Sequence, residues 1–446
     1  MTRPRSAASC MCTLPQNDLA MTEHQPPAAV LRPKDYFFIN CYWFGLTFLW
    51  NGLHTIILPA VLLEFVPEHH KATALGMMTF AGLILAMLIQ PLSGALSDAT
   101  TTPWGRRRPW IAVGAAGALL SLLAISLSES FLFLTISYVL LQCTSNLAHG
   151  PLQGLIPDLV PPARHGTASG AKNILDLAGF IAGAMTAGYF VDRGQSRLAL
   201  AVIAGVLLTM LICTLLGVRE PPARGEHLPL QQLLRRALRR AYYFDVRRYP
   251  AYAYLLAARF CILVGIYGVQ SFGQYFIRDV LRSPNPAGAT AGLMTTIGIG
   301  VALLVFPSGY LSDRLGRRWW NIIAAVLCGL GVLLLLRVQT MGDVYLAGAV
   351  LGAGLGSFLS VNWALATDLV PPEEAGKYLG LSNFATAGAG ATARLAGPLV
   401  DVFNLRAAGA GYHALFMLAG AVILFGAFLI WWKVPETRSA GRLPAH

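Results

Sequence analysis

The sequence predicts an all-α integral membrane protein with twelve transmembrane helices, arranged as two six-helix parallel repeats. Three observations carry this reading: long apolar blocks, a one-sided distribution of basic residues, and loop motifs that occur twice. Hydrophobic residues make up 55% of the 446-residue chain and charged residues only 12%, about half the charged share of an ordinary soluble domain. The apolar residues do not alternate with polar ones at amphipathic spacing. They run in blocks of about twenty, the length a helix needs to cross a hydrocarbon core of about 30 Å.

Taken in order, the blocks place helices at 36–63, 72–97, 109–128, 131–159, 167–191 and 197–218, then at 252–279, 288–312, 319–338, 343–369, 376–401 and 410–433. Residues 1–34 are polar, with Pro at 4, 15, 26, 27 and 33 and no apolar core of a signal peptide, so they read as a disordered tail. The six-helix units then span 35–218 and 251–433, with a short tail at 434–446. Between them, 219–250 is a basic linker whose Arg235, Arg236, Arg239 and Arg240 suit either a solvated segment or one face of an interfacial helix. The seven Cys show no disulfide or metal spacing; five fall in or beside apolar blocks, and Cys10 and Cys12 lie in the tail.

The formal net charge is +12. In a soluble chain this would raise the question of nucleic acid, but here the basic residues sit in short loops between apolar blocks. Of the 33 Lys and Arg, 23 fall on the side of the two termini, seven on the other, and three (Lys172, Arg259, Arg394) inside helices. That asymmetry predicts both termini in the cytoplasm and an even helix count, in a plasma (inner) membrane protein.

The halves repeat. Gly94-Ala95-Leu96-Ser97-Asp98 and Gly309-Tyr310-Leu311-Ser312-Asp313 each end a helix, and each is followed by Gly-Arg-Arg, at Gly105-Arg106-Arg107 and Gly316-Arg317-Arg318. Asp158-Leu159-Val160-Pro161-Pro162 matches Asp368-Leu369-Val370-Pro371-Pro372, and Val191-Asp192 matches Val400-Asp401. The offset is 215 residues for the helix-ending motif and 209 to 211 for the other three features, so the chain reads as a tandem duplication. A carboxylate ending one helix and an arginine pair opening the next can bridge two helices. Asp98, Arg106, Arg107, Asp313, Arg317 and Arg318 therefore form a candidate cytoplasmic latch, expected to close that side when the protein faces outward; a static charge-paired loop is the plainer alternative.

This doubled loop resembles the hallmark of the major facilitator superfamily, and the resemblance covers residues 36 to 433. The longer form, Ser97-Asp98 through Gly105-Arg106-Arg107-Arg108-Pro109-Trp110, looks like the loop of the sucrose/proton symporters, neighbours of the glycoside–pentoside–hexuronide:cation symporters. Gly150-Pro151-Leu152-Gln153-Gly154-Leu155 resembles their helix 4 stretch. The resemblance implies secondary transport by alternating access, with a cation, a proton first, as partner. It implies a sugar or glycoside as solute and no cofactor. Two coupling charges of that group are replaced here by Gln142 and Gln153, so they are not carried over. The same fold also serves non-transporting assembly or pigment-handling factors and efflux antiporters.

An ionisable side chain at the bilayer centre costs about 2.5–3.5 kcal/mol on insertion scales, so each one needs a reason. Lys172 and Asp176, four residues apart, share a helix face. They suit an ion-coupling site or a neutralised pair that staples helix 5. Arg394 can bind a carboxylate or phosphate of a substrate or pair with Asp401 two turns on; Arg259 can snorkel or meet substrate. Trp50, Asn51 and His54 on helix 1 offer a sugar an aromatic face beside amide and imidazole donors. Asn146 and His149 on helix 4, Tyr267, Gln270 and Gln274 on helix 7, and Asn362 and Trp363 on helix 10 continue that chemistry. No nucleotide-binding, zinc-protease or nucleophile-elbow motif occurs, so no catalytic or metal residues are assigned. The expected partners are a small-molecule solute, a co-transported cation and the lipid bilayer, with no nucleic acid, and the chain is expected to act as a monomer.

Overall fold

A computed structural model describes residues 32–222, 249–370 and 375–437. The tail before residue 32, nearly all of the linker with its four arginines, Pro371-Pro372 and the last nine residues lie outside the described residues.

Twelve long helices account for nearly all of the rest. They are α1 (Pro33–Leu62), α2 (Lys71–Asp98), α3 (Arg108–Ser126), α4 (Phe131–Leu159), α5 (His165–Val191) and α6 (Ser196–Gly217), then α7 (Pro250–Asp279), α8 (Pro286–Leu315), α9 (Arg317–Leu334) and α10 (Met341–Asp368). They end with α11 (Ala375–Arg394, resumed as Gly397–Arg406) and α12 (Ala410–Lys433). Eleven of them are long and apolar enough to cross a membrane on composition alone. The twelfth, α11, is rich in Ala, Gly and Thr, as suits a helix packed among others rather than against lipid.

Packing repeats as the sequence does. α1 packs on α5 and α6, α4 on α2 and α3, and α3 on α6; the same five pairings recur among α7–α12. Helix starts repeat too: Ser130 caps α4 by accepting from the Phe133 N–H (3.2 Å), and Thr340 caps α10 with Asp343 in a capping box. Glycines bring α1 and α5 together, since a Cβ on Gly183 would strike the Phe48 carbonyl. The halves meet through α5 against α8 and α2 against α11, two contacts related by the same duplication.

Two local departures matter. Within α1, Leu53–Ile57 forms a turn of π-helix, just before Pro59. Proline has no N–H, so the Thr55 carbonyl loses its usual helical donor. In α11 the helix is not continuous to 401: it breaks after Arg394 and restarts at Gly397-Pro398. The expected Arg394–Asp401 pairing is therefore not formed, because the break re-aims Asp401 toward α2.

Candidate functional site

The two doubled loops lie on the face that carries both ends of the described chain. In the first half, Arg107 pairs with Asp98 (2.5 Å) and Asp158 (2.8 Å) and donates to the Ser97 hydroxyl (2.6 Å), while Arg106 also pairs with Asp158. In the second, Arg317 pairs with Asp313 (2.9 Å) and Asp368 (2.7 Å). Gly105 and Gly316 precede the arginines with φ of 94° and 103°, a backbone conformation that favours glycine. A third pair of residues joins the device. The Glu220 carboxylate accepts from the N–H groups of Arg107 and Arg108, and Glu436 accepts from those of Arg317 and Arg318. Each thus caps the start of a helix, where unpaired N–H groups favour an anion. Burial pushes the Glu220 carboxyl above its ordinary range, opposed by those two N–H donors. Arg318 reaches the Trp431 carbonyl with its side chain. All of these contacts stay inside one half.

The opposite face differs. Lys71 of α2 bridges Glu68 (2.8 Å) and Asp279 of α7 (2.6 Å), and Arg278 pairs with Glu68 (2.5 Å) and Asp279 (2.9 Å). The Tyr412 hydroxyl of α12 donates to Asp279. The Val-Asp repeat supplies twin caps across the halves. Asp192, ending α5, accepts from the N–H groups of Ala287 (3.0 Å) and Gly288 (2.6 Å) at the start of α8. Asp401 accepts from those of Ala72 (3.2 Å) and Thr73 (2.6 Å) at the start of α2. Gln274 of α7, its amide nitrogen turned to donate, reaches the Thr55 and Ile56 carbonyls at 2.8 and 3.0 Å, satisfying the acceptor that Pro59 orphans. Every ion pair between described residues that crosses the halves lies on this face. On the termini face, the α5 glycines Gly166 and Gly170 have open space around them. Among the described residues, ion pairs and helix caps join the halves on the opposite face and none joins them on the termini face.

Between the faces, α1, α4, α7 and α11 converge. The Trp50 ring stacks on His54 (centroids 4.7 Å apart, planes 20° apart). His54 Nε2 lies 2.8 Å from the Tyr138 hydroxyl and 3.2 Å from Gln142 Nε2. Gln142 donates to the Tyr138 oxygen (2.5 Å), and the Asn146 amide donates to the Gln142 side-chain oxygen (3.3 Å). This neutral chain runs along α4 and onto α1. Across from it, Arg259 of α7 donates to Asn362 Oδ1 (2.8 Å) and to the Thr386 hydroxyl (3.1 Å), and Arg394 donates to the Gly390 carbonyl (2.6 Å). Tyr267 packs beside Gly390: a methyl group there would lie 3.7 Å from the Tyr267 ring and 3.8 Å from the Arg394 guanidinium.

A separate cluster lies nearer the termini face. Lys172 pairs with Asp176 at 2.6 Å and sits 3.9 Å above the Trp43 ring, whose edge meets His149 at 4.9 Å. Trp43 Nε1, His149 Nε2 and Asp176 Oδ1 find no hydrogen-bond partner among the described residues.

The structure therefore brings together Trp50, His54 and Asn146, and sets Tyr267 and Arg394 beside one another. It leads Asn51 elsewhere: its amide donates to the Phe180 carbonyl at 2.5 Å, tying α1 to α5. Gln274 serves the closed face, Gln270 donates to the Met294 sulfur at 3.9 Å, and Trp363 is exposed beside the buried Asn362. Sequence reasoning missed Tyr138, Thr386, the ionic cluster around Lys71 and the two capping glutamates. For the glutamates a signal existed, since Val218-Arg219-Glu220 and Val434-Pro435-Glu436 both follow a helix.

Comparison with known proteins adds the following. One family profile, described as MFS/sugar transport protein, matches residues 43–430. A multidrug resistance protein MdtG from Serratia proteamaculans (strain 568) is 23% identical over 87% of this chain and 92% of its own length. The proton-associated sugar transporter A of Homo sapiens is 27% identical over 43% of this chain and 28% of its own. Among solved structures, a D-xylose-proton symporter superposes with a TM-score of 0.69 at 15% identity, over 90% of this chain and 98% of that one. A bacterial homologue of the human lysosomal transporter Spinster, in an inward-facing and unoccupied conformation, gives 0.68 at 14% identity, over 91% and 99%.

Proposed function

The chain belongs to the MFS/sugar transport protein family of the major facilitator superfamily, and from that premise we propose that it is a sugar or glycoside transporter of the plasma (inner) membrane, driven by proton symport. Membership makes the chain a membrane protein of secondary active transport rather than an enzyme. What the proposal adds is the solute class, the coupling ion and the orientation. The observation that carries the solute class is the neutral chain Trp50–His54–Tyr138–Gln142–Asn146. An indole stacked flat beside a run of hydroxyl, imidazole and amide groups suits a ring with an apolar C–H face and hydroxyl edges. The long Gly-Arg-Arg-Arg-Pro-Trp loop supports the likeness to the sucrose/proton group.

In this proposal the basic termini face is cytoplasmic, and the described state is open inward. Solute reaches Trp50 and His54 from the cytoplasmic side here, and from outside once the twin caps and the Lys71 cluster release. The doubled loops then latch the cytoplasmic side. Asp176, with Lys172 as its counter-charge, carries the coupling proton. A second reading, drug efflux by antiport, is favoured by the likeness to the multidrug resistance proteins. Proteoliposomes loaded with a pH gradient and offered a panel of radiolabelled sugars and lipophilic drugs separate the two. Saturable sugar uptake supports the proposal; movement of the drugs alone overturns it.

A further inference from the structure

Resting on that reading, we propose that the solute carries an anionic group, a carboxylate or a phosphate, held between the guanidiniums of Arg259 and Arg394. Arg259 is only 6% exposed. It is anchored at Thr386, and Arg394 is anchored at Gly390, four residues on along α11. Four residues make about one helical turn, close to 6 Å, so the two anchor points sit on adjacent turns with Tyr267 beside the second. Neither guanidinium forms an ion pair with a described carboxylate. The Nη2 groups of both, and Nε of Arg394, make no hydrogen bond to a described residue.

The contrast with Lys172 gives this its force. That cation, also inside a helix, has Asp176 at 2.6 Å. The two arginines have hydroxyl, amide and carbonyl oxygens instead, and the groups facing them across the centre are neutral. A cation at membrane depth carries a desolvation cost. A bound anion relieves it for both. The planar fork of a guanidinium matches the paired oxygens of a carboxylate or phosphate. With the anion on the α7–α11 side, the uncharged part of the solute reaches Trp50 and His54 on the other.

Purified protein in nanodiscs, titrated with glucose, glucuronate, glucose 6-phosphate and inorganic phosphate, tests the proposal. The expected result is binding of glucuronate or glucose 6-phosphate at least about tenfold tighter than glucose, a shift of one decade in Kd. Which of the two wins tells carboxylate from phosphate. The preference should fall to within about twofold in Arg394→Gln and Arg259→Gln and be partly kept in Arg394→Lys. Equal binding of glucose and both anions by the unaltered protein overturns the proposal without needing any variant, and leaves the sugar reading standing. Retention of the preference in folded Arg394→Gln and Arg259→Gln also overturns it. Binding of no compound in the panel overturns both readings.

Discussion

At the scale of single residues, Tyr138 is the joint of the central site. Its hydroxyl is the one group that meets both His54 of α1 and Gln142 of its own helix. Tyr138→Phe removes it and keeps the ring. Each buried hydrogen bond is worth about 1 kcal/mol, so losing these two should lower the melting temperature by a few degrees; a solute that also bonds this hydroxyl should bind roughly fivefold more weakly, and unchanged affinity by calorimetry would place the solute elsewhere. Asp176 gives a second prediction. If it carries the proton, Asp176→Asn abolishes accumulation against a gradient but keeps exchange between equally loaded sides, measured as counterflow in proteoliposomes. Accumulation in that variant would make Asp176 a structural partner of Lys172. Sequence reading singled out Trp50, His54, Asn146, Tyr267 and Arg394 as candidates because polar and aromatic side chains at membrane depth are conspicuous. It passed over Tyr138 because a tyrosine in an apolar block resembles any core aromatic. It placed Asn51 with Trp50 and His54 because one residue along a helix turns a side chain by about 100°, and a linear count does not show which neighbour fills that direction.

At the scale of elements, helix placement was legible to within a few residues: 72–97 against Lys71–Asp98, and 410–433 against Ala410–Lys433. Apolar run length fixes such spans directly. The break in α11 and the π turn in α1 were not read, because both sit inside unbroken helical patterning. Gly397-Pro398 and Pro59 were the available marks. The partners joined across the far face are equally invisible to periodicity, since Lys71 and Asp279 are 208 residues apart. These contacts carry a prediction. Asp192 and Asp401 each accept two backbone N–H bonds across the halves, and charge-assisted bonds of this kind are worth about 1.5–3 kcal/mol each. Asp401→Ala should therefore shift the population toward the state open on the far face by tenfold or more. Spin-label distances between the loop after α1 and the loop after α7 should lengthen. An unchanged distance distribution would show that the caps do not hold this face shut.

At the scale of the whole molecule, the duplication organises everything. The same five helix pairings, the same helix caps, the same arginine–carboxylate loops and the same reciprocal Asp caps occur twice. In the proposed cycle the two halves move as similar bodies about the site where α1, α4, α7 and α11 converge, closing one face as the other opens. Among the described residues the doubled loops bind only within their own halves, so in the proposed cycle Asp98 and Asp313 change partners when the termini face closes. Asp98→Asn should accordingly slow transport and alter the balance of states, with solute affinity largely kept. Equal populations across the termini face in variant and parent would remove the latch from the account. Transport itself is measured most directly as uptake of radiolabelled glucose, glucuronate and related sugars by proteoliposomes under an imposed pH gradient, with protein-free vesicles alongside. Saturable accumulation of at least one sugar is expected, abolished when a protonophore collapses the gradient. Uptake of every sugar at the protein-free rate, with the protein folded and reconstituted, would contradict the proposed transport.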